Sequence, residues 1–228
     1  MRKTTIAAMA AAAWGWAGAN AGLVQVPADQ TTIQAGIDAA QNGDTVLVAD
    51  GIYTGEGNRN LDFGGKLLTV RSVNGPDGCI IDCEGSGRGF FFHNGETASS
   101  VVAGYTIQNG DVEWDGPGGG YGGGIHCSGS APTITACRIR WNHAELDGGG
   151  IYCNWAASAT VSACTITGNL AVIGYGGGIC CYNGSDVVMT DCTISDNLAI
   201  AGSGMANFAS SPTLTNCSLA DNAASGGG

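Results

Sequence analysis

The sequence predicts an all-β fold, a right-handed parallel β-helix with a short capping helix at its N-terminal end. Three observations carry that expectation. A segment of about 27 residues recurs from Gly122 onward, the mark of a solenoid. Within each copy, apolar and polar residues alternate as in half-buried strands. Glycine makes up 40 of 228 residues, against a usual ~7%, and it falls at fixed places in the repeat. Since Gly costs a helical position about 1 kcal/mol, the chain is a poor helix former, and its regular glycines predict regular turns.

Each repeat opens on a Gly-rich segment. Gly122-Gly123-Gly124-Ile125-His126-Cys127 returns as Gly148-Gly149-Gly150-Ile151-Tyr152-Cys153 and Gly176-Gly177-Gly178-Ile179-Cys180-Cys181, with a weaker copy at Gly202-Ser203-Gly204-Met205. A second segment, Cys-x-Ile-x-x-Asn, recurs at Cys137, Cys164 and Cys192, and as Cys217/Leu219/Asn222. Residues two apart share a strand face, so Ile125 and Cys127 face one way and His126 the other. Stacked coils then give ladders: Ile125/Ile151/Ile179/Met205, Ile134/Val161/Met189/Leu214, Cys127/Cys153/Cys181 and Cys137/Cys164/Cys192/Cys217. The three-residue step from Ile134 to Cys137 needs a bulge or bend. Gly124, Gly150 and Gly178 suit corners with positive φ or close backbone approach. Asn142, Asn169, Asn197 and Asn222 suit left-handed turns, and their amides can also bond from coil to coil.

Earlier coils are degenerate. Phe90 and Phe92 take the Ile and Cys places, Tyr105-Thr106-Ile107 stands for Cys-x-Ile, and Val46, Val48, Leu68, Val70, Ile80 and Ile81 are expected to line the first coils. About seven coils at ~4.8 Å make a rod roughly 35 Å long. Thr31-x-x-Gln34 fits a capping box, Ile33, Ile37 and Ala40 share a helical face, and Asn42-Gly43 supplies a stop. The predicted helix covers the open end of the first coil. At the other end Gly226-Gly227-Gly228 reads as the opening of another repeat, so a longer array cut short is expected.

The first 21 residues read as a secretory segment: basic Arg2 and Lys3, an apolar run from Ile6 to Trp16, then the small-residue exits Ala17-Gly18-Ala19 and Ala19-Asn20-Ala21. The β-helix then occupies 22–228, and the protein is expected to be exported: secreted, periplasmic or on the cell surface. No later stretch has the length and apolarity of a transmembrane helix. Removing Arg2 and Lys3 takes the net charge from −11 to −13, which argues against a nucleic-acid partner, because phosphate contacts need clustered Lys and Arg.

The stretch Thr32-Ile33-Gln34-Ala35-Gly36-Ile37-Asp38-Ala39-Ala40, followed by Gly43-Asp44-Thr45-Val46-Leu47-Val48 and Gly51-Ile52-Tyr53, resembles the N-terminal cap and first coil of pectin-lyase-like β-helix proteins. The repeats resemble the Gly-Gly-Ala-Ile and Phe-x-x-Asn repeats of polymorphic outer membrane proteins, with Cys-x-Ile-x-x-Asn replacing the second motif. The first resemblance implies enzymes that cleave acidic polysaccharides, with Ca²⁺ and a basic residue in the lyases, or paired Asp and Gly-His-Gly in the hydrolases. Gly-His-Gly is missing from the sequence.

Candidate chemistry gathers in one row of loops. Asp111, Glu113 and Asp115 lie in one loop, Glu145 and Asp147 one coil later, and stacking is expected to bring these carboxylates together. Oxygen ligands of this kind suit Ca²⁺, and a solvated acidic loop is the plainer alternative. Trp114, Tyr121 and Tyr175 lie in the same row as candidate ligand contacts. Arg138 and Arg140 project outward where other coils carry Thr, Ser or Ala. They are candidates for binding a carboxylated sugar or acting as a lyase base, or they pair with surface acids. His126 and His143 have no fixed partner in sequence. The cysteines lack zinc-site spacing, so buried thiol stacks are expected, with Cys79 and Cys83 the best local disulfide pair. Two functions follow: non-enzymatic display or binding of glycans or a cell-surface partner, and, as the alternative, a polysaccharide lyase or glycoside hydrolase acting on acidic polysaccharide.

Overall fold

The computed structural model describes residues 21–114 and 119–226. Four parallel sheets run the length of a solenoid, with eight, seven, five and five strands. One full coil shows the plan. Ile125–Ser128 lies in the first five-stranded sheet, Thr133–Thr135 in the eight-stranded sheet, Arg138–Arg140 in the seven-stranded sheet and His143–Ala144 in the second five-stranded sheet. The chain then returns to the first sheet at Ile151–Asn154. Every strand pairing between coils among the described residues is parallel, joining Ile125 to Ile151, Ile151 to Ile179 and Ile179 to Met205; one isolated bridge, Gly87 to Asp111, is antiparallel. The expected ladder Ile134/Val161/Met189/Leu214 is in register as well.

The interior follows the alternation. Ile125, Ile151, Ile179, Cys127, Cys153 and Cys181 are fully buried. Burying a side chain of this kind contributes roughly 1.5–3 kcal/mol, and each coil adds several. In the degenerate coils Phe90 pairs with Ile125 and Phe92 with Cys127. Phe63, Phe90, Phe92 and Tyr105 form an aromatic packet, with Phe63 and Phe92 edge to face at 5.1 Å. Ile80 departs from expectation: Cys79 and Ile81 point inward, so Ile80 between them faces out.

The two corner devices differ from those read in the sequence. The bend between Ile134 and Cys137 is a single left-handed residue, Ala136 at φ 51°, repeated at Ala163, Asp191 and Asn216. The recurring asparagines are not the left-handed residues; that role falls to the residue before each, Trp141, Gly168, Asp196 and Asp221. The asparagines instead turn inward and form an amide ladder. Asn142 Nδ2 donates to Asn169 Oδ1, Asn169 Nδ2 to Asn197 Oδ1 and Asn197 Nδ2 to Asn222 Oδ1, each at 3.0 Å. Buried amides need such partners, and a ladder supplies them to every rung. Gly150 is required for close approach, since a Cβ there would lie 2.6 Å from the Gly178 carbonyl oxygen.

The cap forms over Ile33–Ala39, with Thr32 rather than Thr31 as its N-cap, accepting from the Ala35 amide. Gln34 does not close a capping box; its amide bonds the Asp62 backbone in both directions. Ile33, Ile37 and Ala40 are buried as expected. Lys66 Nζ donates to the carbonyls of Ile37, Asp38 and Ala40, placing a cation at the negative end of the helix.

All ten cysteines are thiols. Cys79 and Cys83, the best local disulfide pair by sequence, are four residues apart along one extended segment. That separates them by roughly 13 Å, against the ~7 Å limit for a bridge. Cys180 is an exception among the buried thiols, lying on the outer face beneath Tyr152 and Phe208.

Candidate functional site

Among the described acids of this row of loops, Asp111, Glu113 and Glu145 bound one cavity and Asp147 bounds another. Asp111 and His143 pair across adjacent strands, and His143 Nδ1 meets Asp111 Oδ1 at 2.8 Å. Glu145 Oε2 accepts the Trp114 backbone N–H at 2.6 Å. Two cavities flank the Asp111–His143 pair and share both residues. One, of about 330 Å³, is bounded by Glu84, Asn109 and Trp141. The other, of about 510 Å³, is bounded by Glu113, Trp114, Glu145 and Val172. Together they form a shallow acidic groove with an exposed indole at each side.

Local structure explains the two indoles. Trp141 occupies the left-handed corner, φ 53°, which turns its ring outward. The Arg140 guanidinium lies 4.2 Å above the ring. At the equivalent corner of the next coil stands Gly168, where a Cβ would come within 2.7 Å of Trp141 Cδ1. The ring is therefore seated on a glycine. Trp114 follows the strand Asp111–Val112, and its side chain is 66% exposed.

Asp147 points into a different cavity. Its Oδ1 accepts the Tyr175 N–H at 2.8 Å, and burial pushes its carboxyl above the usual carboxylate range against that hydrogen bond. The cavity, about 370 Å³, is bounded by Tyr121, Asp147, Tyr152, Asn154, Trp155 and Tyr182. Tyr121 and Tyr152 stack at 4.6 Å. Tyr175, grouped with Tyr121 in the sequence, instead packs edge to face on Phe208 at 5.1 Å. Asp115 lies outside the described residues. Among the described residues no three His, Cys, Asp or Glu side chains come together as a metal-binding group.

The arginines are occupied. Arg138 donates to Asp77 Oδ1 at 2.8 Å. Arg140 bonds Gln108 Oε1 through Nε and Nη2.

Beneath the Tyr121–Tyr152 stack lies a buried polar row; its Arg88 carried no signal in the sequence, and its His126, expected at the surface, is buried. Arg88 is fully buried, its guanidinium 4.8 Å from the Phe91 ring. Its Nη2 donates to Gly119 O, and burial lowers its pKa to about 10. His126 stacks on Phe91 at 4.9 Å. Burial first, then the Arg88 charge, drive its pKa down to about 3. It is therefore a neutral core histidine. The useful sequence clue was register: Phe91, His126 and Tyr152 occupy one outward column, visible once the degenerate Phe90 coil is aligned. Trp141 and Trp155 carried no spacing clue, because each lies at a repeat position where other coils have unrelated residues; Tyr182 is in register with Phe208.

The sequence model of a family described as right handed beta helix region matches residues 72–228. No curated protein matches the chain, and no solved structure does. No helix among the described residues is long and apolar enough to cross a membrane.

Proposed function

Because the chain belongs to the right-handed β-helix family, we propose that it is an exported β-helix that holds a glycan in the Asp111–His143 groove without cleaving it. The observation that carries this reading is the pair of adjoining cavities walled by Trp114 and Trp141. Indole faces offer flat apolar platforms with a polar edge, suited to the C–H faces of sugar rings, and the carboxylates between them accept sugar hydroxyls. Glu84, Asp111, Glu113 and Glu145 give the groove a negative potential, which favours neutral over acidic glycans.

The same contacts weigh against cleavage of an acidic polysaccharide. Arg138 is held by Asp77 and Arg140 by Gln108, so neither is placed as a base or as a partner for a uronate. Glycosidases use two carboxyl groups flanking the scissile bond; here Asp111 is engaged by His143, and Glu145 by a backbone N–H.

Calorimetry with neutral xylo-, cello- and mannooligosaccharides tests the reading. Binding is expected to weaken at least about tenfold in Trp114→Ala and Trp141→Ala. Turnover of pectate or alginate, lost on replacing Arg138 or Arg140, would put the lyase alternative in its place. Absence of glycan binding across neutral and acidic panels would end the glycan reading.

A further inference from the structure

The cavity around Asp147 is a separate site with different chemistry from the groove. Four of its six bounding residues are aromatic: Tyr121, Tyr152, Trp155 and Tyr182. The only charged one is Asp147, and neither Lys nor Arg bounds it. A second cavity of about 370 Å³ adjoins it, sharing Trp155 and Tyr182 and bounded further by Asn183 and Phe208. The first thus offers charge and aromatic faces, the second mainly apolar wall.

The walls are fixed by the fold. Tyr121 and Asp147 hold equivalent places in successive coils, since the Gly122 and Gly148 amides that follow them bond the carbonyls of Asp147 and Tyr175. Tyr152 stands in the outward column of the sheet and leans on Tyr121. Trp155 takes a left-handed corner, φ 57°, and is 64% exposed. The Asn154 amide holds it, with its oxygen 3.2 Å from the indole Nε1 and its nitrogen near Cys127 O and Ser128 Oγ. Tyr182 packs against Phe208 at 5.9 Å.

This combination has a specific deficit. The Asp147 carboxylate is half-buried, and among the described residues its only hydrogen-bond partner is the Tyr175 N–H at Oδ1. Burial first, and its negative field after that, push the phenols of Tyr121 and Tyr152 and the Cys180 thiol toward the protonated form. A half-buried charge gains most from a partner of opposite sign, and aromatic faces attract cations through their quadrupoles. A neutral sugar satisfies the rings but leaves the charge uncompensated, and an anion is repelled.

We infer that the Tyr121–Asp147–Tyr152–Trp155–Tyr182 cavity binds an organic ammonium group, with the remainder of the ligand lying along Trp155 and Phe208 in the adjoining cavity. The shared chemistry is a cationic nitrogen carrying carbon substituents, as in a choline head group or an amino sugar. The ammonium sits against Asp147 and over the Trp155 ring, and no covalent step is involved.

Titration of the full chain by calorimetry and by NMR of the tryptophan indole N–H signals tests this, using choline, tetramethylammonium, glucosamine, glucose and the uncharged choline isostere 3,3-dimethylbutan-1-ol. Choline is expected to bind near 10⁻³ M, with the isostere at least about tenfold weaker. Glucosamine exceeding choline would identify the source as an amino sugar; the reverse order, as a choline-type head group. Trp155→Ala, at an exposed position, and Asp147→Asn should each weaken binding about tenfold or more, with Trp155→Ala keeping the wild-type melting curve. Equal binding of choline and its isostere, or no response to any ammonium compound up to about 50 mM, would overturn the inference. Trp114→Ala and Trp141→Ala leave this binding unchanged, so its failure and that of the glycan groove are read separately.

Discussion

Asn169 Oδ1 accepts two hydrogen bonds from Asn142, one from its backbone N–H and one from its side-chain amide, both at 3.0 Å. Asn169 passes its own amide protons to Ile139 O and Asn197 Oδ1. One side chain thus satisfies polar groups in three successive coils, all within the buried interior. Asn169→Ala leaves several of them unpaired and is expected to cost about 2–4 kcal/mol. Asn222→Ala, at the last and partly exposed rung, should cost about 1 kcal/mol. Urea unfolding of both variants checks the ranking, and equal costs would remove the ladder as a source of stability.

The buried His126 makes stability depend on acid. Its folded-state pKa is lowered to about 3, below the ~6.5 of an unfolded histidine. Between those values the unfolded chain binds the proton and the folded chain does not. Stability therefore falls as pH drops below about 6.5, at up to about 1.4 kcal/mol per pH unit from this group, until pH nears 3. Carboxylates such as Asp82, whose pKa is lowered by hydrogen bonds from Gln108, Asn109 and Glu84 that outweigh its desolvation, add loss only at the acid end. Denaturation curves of wild type and His126→Phe between pH 7 and pH 4 should diverge, with the variant flatter. Parallel curves would mean that His126 is protonated in the fold.

Thiol reactivity should be confined to the end of the ladder. Cys137, Cys164 and Cys192 are buried, whereas Cys217 is partly exposed. A thiol must reach the reagent as thiolate, and burial opposes both steps at Cys79, Cys83 and Cys181. Iodoacetamide on the native protein is expected to modify Cys217 first, with the others reacting only on unfolding. Mass mapping of the alkylated peptides reads this directly; early labelling of Cys153 would contradict the inward stack.

Calcium binding in the acidic groove is expected to be weak, about 10⁻³ M. Asp111 already meets His143, and Glu145 already meets the Trp114 N–H, so a cation has to displace existing partners. An Asp111→Asn/Glu145→Gln double variant should abolish the signal in calorimetry, while Asp147→Asn should leave it intact, because Asp147 bounds the other cavity. Micromolar affinity, or loss of the signal in Asp147→Asn, would restore the single five-carboxylate site read from the sequence.

The sequence disclosed what the repeat enforces. Register alone makes Ile125, Ile151, Ile179 and Met205 one column, because a solenoid stacks like on like. The same logic failed for side chains that leave the column. Coil stacking predicts Glu145 and Asp147 beside Asp111 alike, yet Asp147 accepts the Tyr175 N–H and bounds a separate cavity. Asn142 was read as a turn residue from its conformational tolerance. The turn went to Trp141, because a buried amide ladder outweighs the cost of a left-handed non-glycine residue, about 1–2 kcal/mol. Corners and loops, where one residue decides the direction of the next, carry the candidate sites and were the least legible.

The change from the ring packet of Phe63, Phe90, Phe92 and Tyr105 to the thiol and amide columns that begin at Cys137 and Asn142 divides the rod into two materials. Each coil holds mainly its neighbours, so load is borne in series rather than shared. The junction between them contains the Tyr105 hydroxyl, buried without a partner among the described residues, and the first amide rung, where Asn142 meets only Gly110 and Ile107 backbone on that side. Stretched along its axis, the molecule is expected to respond as two springs of unequal stiffness joined in series.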